Sequence, residues 1–299
     1  MNASVKLLER VVPATVTIKA SVVDSHPSAS ILGTDRQGTG VVVDASGLIL
    51  TANYVVLGAR GVDIEWADDQ TGFGRVIAQD FASGIAVIEA DECRGTALPL
   101  APTAQVSVGQ DVFIVAAAAD NQRRVNTGGI TSIGVFDAYW EYSLEHAITT
   151  TATNPGTGGA PLLDSHGRVV GIVSLELNDV GRFTLAIPAD YYGQHRNELL
   201  QHGRRTTAPT RAWIGFYCYT FREHVVIAGV LPGAPGEQAG LKAGDVVLTV
   251  NGERVSGRHE LYLRLWTYHS GEVINFQVFR NNKVTDLTVP SGNADEFFA

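Results

Sequence analysis

The sequence predicts a mostly β protein in two parts, and three observations carry that expectation. Short Val/Ile-rich runs recur along the chain, thirty-two glycines together with Asp and Asn punctuate them, and a polar stretch with one proline, Arg204–Arg211, divides the pattern. Many short strands at close spacing favour a barrel or sandwich over alternating β-α units.

In chain order, the first strands are expected at Thr15–Ile18, Gly40–Val43, Leu48–Ala52, Val62–Glu65 and Ile85–Glu89. Val112–Val115, Ile130–Ile133, Ala147–Thr151 and Val169–Ser174 continue the series. Asp44–Gly47 and Asp164–Gly167 lie between apolar runs, where hairpin turns belong. A helix is expected over Asp190–His202, with Gly203 as its C-cap. Beyond Arg211, strands are expected at Trp213–Tyr219, Val225–Leu231, Asp245–Val250, Val273–Arg280 and Val284–Val289. A helix fits Arg258–His269, where Leu261/Leu265 and Tyr262/Trp266 recur at i, i+4 and Gly271 follows the end. These readings give domains at 1–203 and 212–292, a linker at 204–211 and a frayed tail at 293–299.

Composition narrows the function classes. With 45% hydrophobic and 18% charged residues, a folded core is the expectation. A formal net charge of −9 argues against wrapping a phosphate backbone or docking on anionic lipid. The basic pairs Arg123–Arg124 and Arg204–Arg205 read as solvated loops, and Asp44, Asp80 and Asp164 as turn formers. Cys93 and Cys218 are too few for a disulfide framework or metal cage, so free thiols are expected. There is no HxxxH, CxxC or carboxylate cluster, so neither metal nor cofactor is expected. No apolar run reaches the roughly 18–20 residues that span a bilayer. Met1–Ala20 carries no leader pattern of charged start, apolar core and small-residue cleavage site.

Four ordered motifs carry a resemblance to a known family. They are GTGVVVDASGLILTANYVV (38–56), QDFASGIAVIEA (79–90), TNPGTGGAPLLDSHGRVVGIVS (153–174) and LAIP (185–188). Together they resemble the HtrA/Deg serine proteases, which implies a two-barrel trypsin-like fold. The positions that carry the catalytic His, Asp and Ser in that family hold Tyr54, Gly84 and Gly158 here. The triad mechanism needs a hydroxyl nucleophile, an imidazole that takes and returns its proton, and a carboxylate that orients the imidazole. The expectation drawn from these three positions is a pseudoprotease that is not an enzyme. Tyr54 is expected to fill part of the cleft, and Gly156, Thr157 and Gly158 to form a relic of the oxyanion loop. Thr157 reads as a turn residue whose hydroxyl caps a nearby amide.

The C-terminal run GVLPGAPGEQAGLKAGDVVLTVNGERV (229–255), with AWIGFYCY (212–219), resembles a protease-associated PDZ domain. Such a module accepts an extended or C-terminal peptide as an added strand and holds its carboxylate on backbone amides. The resemblance places that loop at Trp213-Ile214-Gly215-Phe216 and the helical wall of the groove at Leu261 and Leu265. The same side chains would also serve as ordinary core. Two functions follow as expectations: a peptide-binding scaffold, or a regulatory subunit of an oligomer, either a trimer with itself or an assembly with an active paralogue. A more distant alternative is an endopeptidase with non-standard catalytic residues. The family is usually extracytoplasmic, and the compartment of this chain stays open.

Overall fold

The computed structural model describes residues 3–178, 181–207 and 210–299; positions 208 and 209 of the expected linker lie outside them. The chain divides into two compact units: Met1–Val135 with Glu145–Thr206, and Phe136–Leu144 with Thr207–Ala299. The nine residues 136–144 thus group with the C-terminal part, although the sequence places them in the middle of the first domain.

The first unit holds two closed six-stranded barrels, as the mostly β reading requires. Barrel one comprises β1 (Thr15–Ser21), β2 (Asp35–Val42), β3 (Leu48–Ala52), β4 (Gly61–Glu65), β5 (Thr71–Asp80) and β6 (Ile85–Ala90). Its order is β1-β2-β3-β6-β5-β4, closed by Ile18 of β1 opposite Ile64 of β4. All five residues of β3 are buried, so that strand reads as a continuous apolar run without alternation. Gly40 is required where β2 crosses the barrel interior, because a Cβ there would come within 2.5 Å of Ile49 Cγ2.

Barrel two comprises β7 (Asp111–Ala117), β8 (Arg123–Asp137), β9 (Ser143–Thr150), β10 (Pro161–Asp164), β11 (Val169–Glu176) and β12 (Thr184–Pro188). Its order is β10-β11-β12-β9-β8-β7, and β10 closes it onto β7. The strands β5, β10 and β12 escape the sequence reading. β5 carries two glycines and an Arg, and β10 and β12 are short and contain or end on proline, so none shows a strong local signal. The helix Asp190–His202 has the expected bounds, and Gly203 caps it at φ 71° with its amide on the Leu199 carbonyl.

The basic pairs need correction. Arg123 lies in β8, where its Nε donates to the Thr15 carbonyl at 2.9 Å and its Nη2 to the Glu65 carbonyl at 3.0 Å. It clamps the two barrels together. Arg205 donates from Nε to Asp80 Oδ1 at 2.9 Å, and the Asp80 side chain is 2% exposed. Asp44 and Asp164 do accept turn amides, yet each also pairs with an arginine, Arg196 and Arg168 respectively.

The second unit is built on a sheet of order β13-β14-β15-β17-β18, with β16 beside β15. The strands are β13 (Phe216–Phe221), β14 (His224–Val230), β15 (Val246–Val250), β16 (Glu253–Arg254), β17 (Val273–Arg280) and β18 (Lys283–Pro290). The helix Arg258–Leu265 is shorter than expected and buries Leu261, Tyr262 and Leu265 against the sheet. The last residues are not a simple frayed tail: Asn293 caps a turn of helix at Ala294–Phe297, and Phe297 and Phe298 lie 4.7 and 5.9 Å from the Trp213 ring. Among the described residues no helix is long and apolar enough to cross a membrane.

Removing Arg205 leaves the Asp80 carboxylate buried without its cation, and losing one member of such a pair costs about 3 kcal/mol. Arg205→Ala is expected to lower the unfolding free energy of the first unit, read from urea denaturation, by that amount. Arg204→Ala is the control and is expected to leave it unchanged.

Candidate cleft and carboxylate-binding loop

A short helical turn, Asn53–Val56, follows β3 and carries Tyr54. The Asn53 amide donates to the Gly84 carbonyl at 2.7 Å, and the Gly84 amide to the Asp80 carbonyl at 2.7 Å. Gly84 sits at φ +79°, a conformation that glycine adopts without strain. The Tyr54 hydroxyl donates to the Ser174 carbonyl at 2.8 Å. Burial, with the nearby Glu176 charge adding to it, pushes the phenol up to about 12. The phenol also stands where a side chain at 158 would go: a Cβ on Gly158 would fall well inside contact distance of Tyr54 Oη. Tyr54 and Gly158 therefore meet through packing, while Gly84 holds the amide of Asn53, the neighbour of Tyr54.

Thr157 is tied into the barrel interface. Its amide and its hydroxyl both donate to the Ala117 carbonyl at 3.0 Å, and its Oγ1 lies 2.8 Å from Thr39 Oγ1. The expected local cap is thus a long-range clamp. The Gly156 amide turns to Asn154 Oδ1 at 3.3 Å, so the amides of 156 and 157 serve different internal acceptors.

In the second unit the loop before β13 gathers three amides on one point. Ile214, Gly215 and Phe216 donate to the carboxylate of Glu141, at 2.8 Å to Oε1 and at 2.7 and 3.2 Å to Oε2. Gly215 permits this at φ +84°, with its carbonyl held by the Leu231 amide at 2.8 Å. Trp213 supports the loop from behind, exchanging backbone hydrogen bonds with Gly292 at 3.0 and 2.8 Å. Leu261 and Leu265 are fully buried in the core, as are Ile214 and Phe216.

The segment bearing Glu141 runs along β13, the free edge of the sheet. Trp140 pairs antiparallel with Tyr217, and the Cys218 amide donates to the Tyr139 carbonyl at 2.6 Å. From the facing helix, Tyr262 donates to the Ala138 carbonyl at 2.9 Å, and the Arg258 guanidinium lies 4.8 Å from the centre of the Tyr139 ring. His259 Nδ1 is 3.1 Å from Asp137. The Glu141 carboxyl group is enclosed, while the residue as a whole keeps partial exposure. Desolvation raises its carboxyl to about 7, and the three amide hydrogen bonds offset part of that rise.

Comparisons with known proteins place this geometry. Residues 38–172 match the trypsin-like peptidase domain model and residues 204–290 the PDZ domain model. The chain thus carries a trypsin-like peptidase domain followed by a PDZ domain. It is 29% identical to the putative serine protease HhoA of Synechocystis, covering 85% of this chain and 70% of that one. It is 28% identical to the chloroplastic Protease Do-like 1 of Arabidopsis thaliana, over 96% and 71% of the two chains. A probable periplasmic serine endoprotease, DegP-like, of Hahella chejuensis is 28% identical, over 85% of this chain and 56% of its own length. Among solved structures, the HtrA-type protease AlgW with tripeptide shares the fold at TM-score 0.59 and 22% identity, covering 98% and 97% of the two chains.

These likenesses overturn one expectation. The non-enzyme reading rested on three positions, Tyr54, Gly84 and Gly158. The similarity to proteins named serine proteases and endoproteases runs over most of the chain, so that reading does not stand.

Sequence reasoning placed the loop 213–216 but missed Glu141, Tyr262 and Arg258 as its neighbours. A loop glutamate 73 residues upstream carries no periodic or motif signal, so only the fold brings it there.

Two predictions follow from this geometry. Gly158→Ser is expected to destabilise the first unit by about 1–3 kcal/mol through overpacking against the phenol. In a Tyr54→Ala background that penalty should largely vanish, a non-additivity readable by urea denaturation. For Glu141, a folded-state carboxyl raised to about 7 favours the protonated form, so its stability contribution is present at low pH and lost as pH rises through 7. The thermal midpoint of the PDZ unit should therefore fall between pH 5 and 8. Glu141→Gln should remove that part of the slope.

Proposed function

We propose that this HtrA-type chain captures extended or C-terminal peptide segments of other proteins through its PDZ unit. The observation that carries the reading is the convergence of the Ile214, Gly215 and Phe216 amides on a single carboxylate. Three aligned donors at the head of an edge strand suit a chain terminus: the carboxylate takes the amides and the preceding residues extend along β13. The bridge between Trp140 and Tyr217 supports this, since it sets backbone against the outer edge of β13. Trp213, Ile214, Gly215 and Phe216 form the loop in this reading. Leu261 and Leu265 set the position of the helix from within the core, while Tyr262 and Arg258 face the ligand.

Self-assembly or pairing with a related chain is compatible with this capture. A labelled decapeptide ending in an apolar residue tests the proposal by fluorescence anisotropy. The free-carboxylate form is expected to bind at micromolar strength and its C-terminal amide at least 10-fold more weakly. Equal affinity of the two forms would remove the carboxylate-capture reading.

A further inference from the structure

The peptide-capture reading leaves one feature unexplained: a segment of the chain itself already lies along β13. Residues 136–144 leave β8, cross the PDZ edge and return into β9. Every contact expected of a captured peptide is supplied by this strap. Glu141 gives the carboxylate, Trp140 and Tyr139 pair with β13 through Tyr217 and Cys218, and Ala138 is held by Tyr262.

Resting on that reading, we propose that residues 138–141 are a built-in ligand of the PDZ groove, and that an outside peptide enters only by displacing them. The Glu141 side chain takes the part of a chain-terminal carboxylate, and the competing ligand is a protein C-terminus with a free α-carboxylate. The two species present carboxyl oxygens to the same three amides, so they exclude one another.

The strap is tethered at both ends, and a short tether holds its ligand at an effective concentration on the order of 1 mM. A strap with an intrinsic dissociation constant of about 10–100 μM would then close the groove roughly 90–99% of the time. The apparent affinity for an outside peptide falls by the open fraction, which is about 10- to 100-fold. Hydrogen bonds from charged or backbone donors to a carboxylate are strong but local, so losing Glu141 should loosen the strap without unmaking the sheet.

The probe is a fluorescein-labelled decapeptide ending Ala-Tyr-Trp-Val, titrated against the full chain. Glu141→Ala is expected to raise affinity for the free-carboxylate probe at least 10-fold. A second variant, Trp140→Cys with Tyr217→Cys, places two thiols at directly paired positions. Oxidised, it should exclude the probe; reduced, it should bind at least as tightly as the parent. Without any peptide, hydrogen exchange should find the amides of 214–216 protected in the parent and exposed in Glu141→Ala. Equal probe affinity in parent, Glu141→Ala and oxidised double-cysteine chain would overturn the strap and leave peptide capture standing. Protected amides with no probe binding in Glu141→Ala or in the reduced double-cysteine chain would instead sink peptide capture itself. Amides of 214–216 that exchange freely in the parent would overturn the strap whatever the probe does.

Discussion

Three consecutive backbone N–H groups pointing the same way cannot be satisfied by a β-ladder, which uses every second one. The Ile214-Gly215-Phe216 loop creates that demand, and an anion with two oxygens meets it best. The organisation of the second unit follows from this constraint. Gly215 adopts its left-handed turn, Trp213 braces the loop against Gly292, and Phe297 and Phe298 fold back over Trp213. Glu141 arrives from far upstream because nothing nearer in sequence supplies a carboxylate there.

The trypsin-like unit obeys a similar rule at the junction of its barrels. Thr39, Thr157 and Ala117 share hydrogen bonds, Thr51 donates to the Thr39 carbonyl, and Arg123 bonds carbonyls of β1 and β4. Polar groups buried between two barrels have to find partners there, so this seam is specified more closely than the apolar interiors on either side. Tyr54 and Gly158 belong to the same seam, with large and small residues fitted to each other.

Much of the fold was legible because its signals are local. Leu48–Ala52 and Ile85–Glu89 are apolar runs bounded by turns, and Gly203 stops its helix where the pattern ends. β5 was not legible, since its glycines and Arg75 make sense only beside β4 and β6. The loop at 213–216 was singled out by motif, and in the structure its three amides converge on the Glu141 carboxylate. Glu141 was not found, because its role depends on a pairing across 73 residues. The inference from Tyr54, Gly84 and Gly158 to a non-enzyme failed for a related reason: three residues were weighed against a likeness that extends along the chain.

The strap gives the groove a displaced half-saturation point. An open site half-fills at the partner's intrinsic dissociation constant, whereas one holding its own ligand half-fills at a concentration higher by the inverse of its open fraction. The set point resides in one side chain, at position 141, that is not part of the PDZ sheet. Sensitivity can therefore drift through changes in the loop alone, while the recognition surface of 213–216 and β13 stays constant.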